Sequence, residues 1–142
     1  MRVTAVIVHW RHLEDTMACL ESLAGEPGVD VVVVDNGSSD PVSAAVAGRA
    51  TCVRSAENRG YAGGANVGIR TALAAGAEVV LLLNDDVRVA PGATAAALAV
   101  LARDARVAAV GPKVLAREDP SRLWLAWGEV TWHQSLVALH GS

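Results

Sequence analysis

The segment VVLLLNDDV, residues 79–87, closes an apolar run with two adjacent carboxylates, Asp85 and Asp86, directly after Asn84. Neighbouring carboxylates repel, and a divalent cation relieves that repulsion. Mg2+ typically takes one or two protein carboxylates and completes its shell with substrate phosphates and water. A solvated turn at the end of a strand is the other reading of the same residues. Asp35 repeats the pattern, because VVVVD also ends in acid and runs on into Asn36 and Gly37. A carboxylate there accepts hydrogen bonds from a base N–H or a ribose hydroxyl. Equally, it closes an Asx-turn or caps a helix.

ENRGYAGGANVG, residues 57–68, is the third feature. Gly60, Gly63, Gly64 and Gly68 permit tight turns and close approach of backbone to a ligand or to another element. Arg59 suits a phosphate, and the start of the following helix favours an anion. The string matches neither G-x-G-x-x-G nor G-x-x-x-x-G-K-[ST], so neither a dinucleotide fingerprint nor a P-loop is indicated. His9 and His12 flank Trp10 and Arg11, while His133 and His140 lie near the end. None has metal-site spacing, and all read as surface or structural histidines. Cys19 and Cys52 form no pair and read as buried thiols, which suits a cytosolic compartment.

The elements that must position these residues alternate. Residues 3–8 (VTAVIV), 29–35 (VDVVVVD), 50–55 (ATCVRS) and 78–83 (EVVLLL) are short, β-branched apolar runs that read as buried strands. Between them, Leu13, Met17, Leu20 and Ala24 predict a helix over 12–24 that GEPG (25–28) ends. Asp40 as cap and Pro41 as first helical residue predict a short helix through about Ala47. A third helix is expected over about 65–75, stopped by Gly76, and a fourth over 93–103, with a fifth strand within 106–115. Alternation of this kind predicts a three-layer α/β/α sandwich with a mainly parallel, Rossmann-like sheet. Ligands in such sheets bind beyond the carboxyl ends of the strands where strand order reverses. His9–Trp10, 35–40 and 84–86 would share that rim. Residues 116–142 hold three of the four tryptophans and predict a β-hairpin turning at Gly128 and Glu129.

Bulk properties narrow the function. The 142 residues are 52% hydrophobic and 19% charged, with a net charge of −3. That is a globular composition, and one domain's worth of chain. Without a dense basic run, a nucleic-acid polymer is not an expected partner. Neither a signal-peptide core nor an apolar stretch of spanning length is present in the sequence, so any membrane association is expected to be peripheral.

Five blocks in this order and spacing carry a resemblance: VTAVIVHWRHLEDTMACLESL, VVVVDNGSSD, ENRGYAGGANVGIRTAL, VVLLLNDDVRVAPG and VAAVGPKVL. Over about residues 3–115 the chain resembles family 2 glycosyltransferases, most of all their rhamnosyltransferase-like branch. The resemblance implies a GT-A fold and inverting, metal-assisted transfer of a sugar from a nucleotide diphosphate to an acceptor hydroxyl, in cell-wall or polysaccharide biosynthesis. It implies that Val8, His9, Trp10, Glu14 and Asp35 contact the base. It further implies that Arg59, Gly64 and Asn66 lie near the ribose and diphosphate. Asn84–Asp85–Asp86 stands in place of a D-x-D motif, with Asp85 on the ribose or donor sugar and Asp86 on Mg2+ or Mn2+. The implied partners are a UDP- or dTDP-sugar and a glycan, lipid-linked or small-molecule acceptor, met in the cytoplasm or at the inner face of the membrane. In that family the catalytic base and the acceptor site come from the second half of the chain. Residues 1–115 are thus expected to form the donor domain and 116–142 the incomplete start of the acceptor side, in an apparently truncated sequence. The tryptophan-rich tail then offers surface for that half or for a second copy, as a homodimer. The alternatives are a nucleotide-sugar-binding or assembly module without the base, and a different nucleotide-binding α/β protein.

Overall fold

Val3–His9 (β1) is buried at all 7 positions. A strand with no solvent face needs cover on both sides, which parallel sheets obtain from helices. The structure is a computed structural model that describes residues 1–39, 41–129 and 138–140. The chain continues through Leu13–Leu23 (α1), Val29–Asn36 (β2), Ser43–Val46 (α2), Thr51–Ser55 (β3), Gly60–Ala74 (α3) and Val79–Asn84 (β4). These strands make a 4-stranded sheet in the order β3-β2-β1-β4, and all its pairings are parallel.

The period-two alternation of strands sorts the core into two clusters. Ala5, Ile7 and Val33 pack on Cys19, Leu20 and Leu23 of α1 and on Val42 and Val46 around α2. Val6, Val32 and Val34 face the other way, onto Ala72 of α3 and Ala77. The result is the expected three-layer α/β/α sandwich. Strand order reverses at β1, which has β2 on one side and β4 on the other. The carboxyl ends of β1 and β4 therefore flank the crevice where this architecture binds ligands. Register sets Val8 opposite Asn84 and His9 opposite Asp35.

The chain divides into two compact units, Met1–Gly92 and Ala93–Ser142. The second contains Ala93–Leu101 (α4) and the short strands Val114–Leu115 (β5), Leu123–Leu125 (β6), Trp127–Glu129 (β7) and Ala138–His140 (β8). Within it β5 pairs antiparallel with β6, and β7 with β8. No helix among the described residues is long and apolar enough to cross a membrane.

Several expectations need correction. The fifth strand shrinks to Val114–Leu115, in an antiparallel pair rather than in the parallel sheet. Gly128 and Glu129 lie on β7 rather than in a turn. The short second helix starts at Ser43 after Val42, and its expected cap, Asp40, falls outside the described residues. On α1 the buried residues are Thr16, Cys19, Leu20 and Leu23, whereas Leu13 is exposed. Leu20 is buried and Met17 packs on the core as the spacing predicts, but the buried face is rotated from the expected one, taking in Thr16, Cys19 and Leu23 and leaving Leu13 and Ala24 outside.

The largest difference is α3, which begins at Gly60, five residues before the expected start at about residue 65. Glycine disfavours helix interiors by about 1 kcal/mol, so GYAGG does not read as a helix. Packing reverses that preference. A Cβ on Gly64 would stand 2.6 Å from Val8 Cγ1, and one on Gly68 would meet Val6 Cγ1 and stand 2.9 Å from Val34 Cγ2. Glycine there lets the helix lie directly on β1 and β2. The chain enters the helix through Asn58, whose Oδ1 accepts from Gly60 N at 2.7 Å. Buried Asn36 then fastens the entry, its Nδ2 donating to Asn58 Oδ1 (3.0 Å) and Gly60 O (3.1 Å), while its Oδ1 accepts from Arg59 N (3.1 Å). Gly68→Ala should lower stability by about 1–2 kcal/mol in a urea titration, overpacking of ~1–3 kcal/mol being offset in part by helix propensity. Gly25→Ala, with nothing within 4 Å of the new Cβ, should change stability by less than about 0.5 kcal/mol. Equal effects at the two sites would show that Val6 and Val34 yield freely.

Candidate functional site

Val8, Tyr61, Asn84, Asp85 and Asp86 line a cleft of about 430 Å³. It lies at the strand-order reversal, with β1 and β4 supplying the floor and the first turn of α3 supplying Tyr61. A hollow of about 390 Å³ at the opposite end of the strands includes Arg2, Asp30 and Arg49. There Arg2 Nε already holds Asp30 Oδ2 at 3.1 Å on the open surface.

The two acids of the cleft differ. Asp86 is exposed, and Asp85 is partly buried. Burial raises the Asp85 pKa; hydrogen bonding from the Trp10 backbone opposes this, the charge of Asp86 adds to the rise, and His9 lowers it. The like-charge repulsion inferred from the sequence is therefore present and only partly relieved. Burial, then Asp85, also raises the Tyr61 phenol. Cys19 lies beneath, its thiol pushed by burial up to about 11. It thus stays protonated and points at the Asn84 carbonyl at 3.6 Å.

His9 is 1% exposed and sits behind the cleft wall rather than on it. Its Nδ1 lies 2.7 Å from Thr16 Oγ1, and the Thr16 hydroxyl donates to His12 O at 3.3 Å. With that proton committed, Thr16 accepts from His9, which fixes an Nδ1–H tautomer. Burial lowers the His9 pKa against the raising influence of Asp35 and Asp85, so the ring is neutral at physiological pH.

Asp35 is buried completely, with both oxygens engaged. Oδ1 accepts from Ser38 N at 2.9 Å and Ser38 Oγ at 2.7 Å, and Oδ2 pairs with Arg54 Nη1 at 2.8 Å. Burial alone would raise its pKa, but the Ser38 hydrogen bonds and the Arg54 cation outweigh it and hold the carboxyl below its usual range. Of the two roles open to this residue in the sequence, the turn closure is the one seen here.

Among the residues expected from the sequence, the fold brings together Val8, Asn84, Asp85 and Asp86, with Trp10 joined through its backbone N–H. The Trp10 indole is exposed and carries the Arg11 guanidinium 4.0 Å above its ring. Gly64 packs under Val8. Arg59 is exposed at the start of α3. Glu14 and Asn66 are exposed on α1 and α3 and do not line the cleft. Sequence reasoning missed Tyr61, Ser38, Arg54 and Thr16. Arg54 had a signal: a lone cation in an apolar strand beside a strand ending in acid suggests a cross-strand pair, and Arg54 does lie opposite Asp35.

Three comparisons bear on this arrangement. A family model described as glycosyl transferase family 2 matches residues 4–138. The chain is 36% identical over 128 residues to galactofuranosyltransferase GlfT1 of Mycobacterium tuberculosis, covering 85% of this chain and 42% of the relative. It is 33% identical over 126 residues to GlfT1 of Mycolicibacterium smegmatis, with the same coverage. The chain thus spans about two fifths of the length of these relatives. Among solved structures, mannosyltransferase PcManGT from Pyrobaculum calidifontis, in complex with GDP-Man and Mn2+, superposes with a TM-score of 0.66 at 24% identity, over 84% of this chain and 37% of that one. That likeness establishes a shared GT-A fold.

The Asp35 network has a signed consequence. A carboxyl held below its unfolded pKa adds stability above that value and loses it as pH falls through the folded one. Chemical denaturation should therefore show stability declining below about pH 4, and Asp35→Asn should flatten that decline. Arg54→Ala should cost about 2 kcal/mol near pH 7, less than the ~3–5 for a fully buried pair because Arg54 is half-exposed and Ser38 remains. A pH-independent loss in Asp35→Asn would contradict the assignment.

Proposed function

The chain belongs to glycosyl transferase family 2, and from that premise we propose that its Met1–Gly92 unit binds the diphosphate of a nucleotide-sugar donor, for transfer of the sugar with inversion to an acceptor hydroxyl. The acidic pair lining the cleft between β1 and β4, at the strand-order reversal, carries this reading. Residues 93–115 would complete the donor side and 116–142 would begin the acceptor side. The GlfT1 relatives make a galactofuranosyl group one candidate cargo.

The residues fit a divalent cation. Asp86 is exposed at the cleft beside partly buried Asp85, burial and then the charge of Asp86 raise the Asp85 pKa, and the described residues contain no cluster of three His, Cys, Asp or Glu side chains. A cation here would therefore take the rest of its ligands from a diphosphate and water, as Mg2+ characteristically does. Asp86 would hold Mg2+ or Mn2+; the Mn2+ accompanying GDP-Man in PcManGT supports that choice. The bound metal would supply positive charge against the negative charge that builds on the leaving diphosphate.

Asp85, partly desolvated and fixed by the Trp10 N–H, is suited to accept a hydroxyl of the ribose or donor sugar. Val8 and Trp10 offer apolar wall for the base, and Tyr61 closes the α3 side. Asp35 can meet a base N–H only if one oxygen exchanges its present partner. Oδ2, held by half-exposed Arg54, is the one best placed to do so. The site would work in the cytoplasm or at the inner face of the membrane.

Calorimetry of the 142-residue chain with UDP, dTDP and GDP, each with and without Mn2+, tests the reading. One nucleotide should bind at least about tenfold more tightly with metal, ~1.4 kcal/mol, and Asp86→Ala should abolish that gain. Metal-independent binding, or a gain surviving Asp86→Ala, would contradict it. Asp85 gives an opposite-signed companion. Its pKa is raised by folding, so the ligand-free fold loses stability as pH rises from the unfolded pKa through the folded one. Asp85→Asn should raise Tm near pH 7, lose that advantage near pH 3, and weaken metal-assisted binding. A lowered Tm near pH 7 would contradict the charge assignment.

A further inference from the structure

Asp15, Cys19, Ser22 and Glu26 are spaced i, i+4, i+7 and i+11, a single stripe along α1 and the turn after it. Each meets the segment that carries or follows the acidic pair. The Cys19 thiol donates to Asn84 O at 3.6 Å. Asp15 Oδ1 lies 3.6 Å from Arg88 Nη2. Ser22 Oγ accepts from Val89 N at 3.0 Å while donating to Cys19 O at 2.6 Å. Glu26 Oε1 accepts from Gly92 N at 2.6 Å, and Glu26 is only 4% exposed.

A buried carboxylate is costly unless its partners are fixed. A loop that only linked a strand to a helix would bond its amides to water instead. Residues 84–92 are held at four points by α1 and the turn after it, and Asp85 and Asp86 fall between the first two. Gly92 adopts φ 80°, the left-handed region that favours glycine.

We propose that this stripe is a positioning device: Ser22 and Glu26 fix the loop after β4 so that Asp85 and Asp86 present their carboxylates to the cation and diphosphate in one arrangement. This rests on the donor-site reading above. Partners bonded directly to a metal's ligands typically change its affinity by ~10–100-fold when removed; Ser22 and Glu26 act through the loop backbone, so the lower end of that range is expected.

Three variants of the 142-residue chain test it: Ser22→Ala, Glu26→Ala and Glu26→Gln. The readouts are urea stability, hydrogen exchange at the Val89 and Gly92 amides, and affinity for UDP, dTDP and GDP with and without Mn2+. Ser22→Ala should speed exchange at Val89, and Glu26→Ala at Gly92. Both should cut the Mn2+-dependent gain about tenfold, while metal-free affinity stays within about twofold. Glu26→Gln keeps an acceptor for the Gly92 N–H and should restore the gain. Should Glu26→Ala not fold, the Ser22→Ala and Glu26→Gln pair still decides. An undiminished gain in folded Ser22→Ala and Glu26→Ala, or stability loss with no change in metal dependence, overturns the proposal. A wild-type chain with no gain overturns the donor-site reading and the proposal together. Those failures are distinct, because hydrogen exchange reports the loop contacts whether or not a metal binds.

Discussion

Negative charge is concentrated where β4 ends, and the surrounding structure keeps it there. Asp85 and Asp86 are adjacent in sequence, and Asp85 is pressed against the end of β1 with its pKa raised by burial and by its neighbour. An isolated loop would relax such a pair into solvent. Here β4 is tied to β1 along its length, the Trp10 N–H reaches Asp85, and α1 and the turn after it grip the following residues. Charge that a fold holds in place against repulsion invites a cation or a proton, and the cleft beside it is open to a ligand.

The close approach of α3 complements this. Gly64 and Gly68 bring the helix onto Val8 and Val6, and Asn36 anchors its first turn to the end of β2. Tyr61 thereby reaches the cleft opposite the acids. Three strand ends are coupled by polar contacts rather than by apolar packing alone. Asp35 organises the β2 end, buried His9 the β1 end and Cys19 the β4 end. Asp35, His9 and Cys19 each have a hydrogen-bond partner, which is what lets these polar side chains be buried so near the rim without destabilising the sheet.

Much of this was legible in the sequence because the strands are short β-branched runs bounded by polar turns. Val3–His9, Val29–Asn36, Thr51–Ser55 and Val79–Asn84 each begin and end within one residue of their expected limits. The three-layer arrangement follows from the alternation, and the acids of the rim were visible as abrupt stops in apolar runs. What was not legible depended on partners distant in sequence. GYAGG reads as a loop until Val8, Val6 and Val34 are seen to need the missing Cβ atoms. Thr16 looks like a poor core residue until His9 is placed beside it, and Cys19, legible as a buried thiol, gains its partner only when Asn84 is placed beside it. Ser22 and Glu26 look like surface residues until Val89 and Gly92 return to them. The strand expected within 106–115 is present but short for a simpler reason: RVAAVGPKVL has strand propensity, but Gly111 and Pro112 interrupt it and only Val114–Leu115 pairs.

The most direct measurement is a crystal of this chain grown with Mn2+ and the nucleotide diphosphate it binds best, with data collected at the manganese edge. One anomalous peak is expected within coordinating distance of an Asp86 oxygen and of diphosphate oxygens, with the nucleotide in the cleft between Val8, Tyr61 and Asn84. A nucleotide bound there with Asp86 turned away and no peak beside it, or manganese sitting elsewhere on the molecule, would contradict the role assigned to the acidic pair.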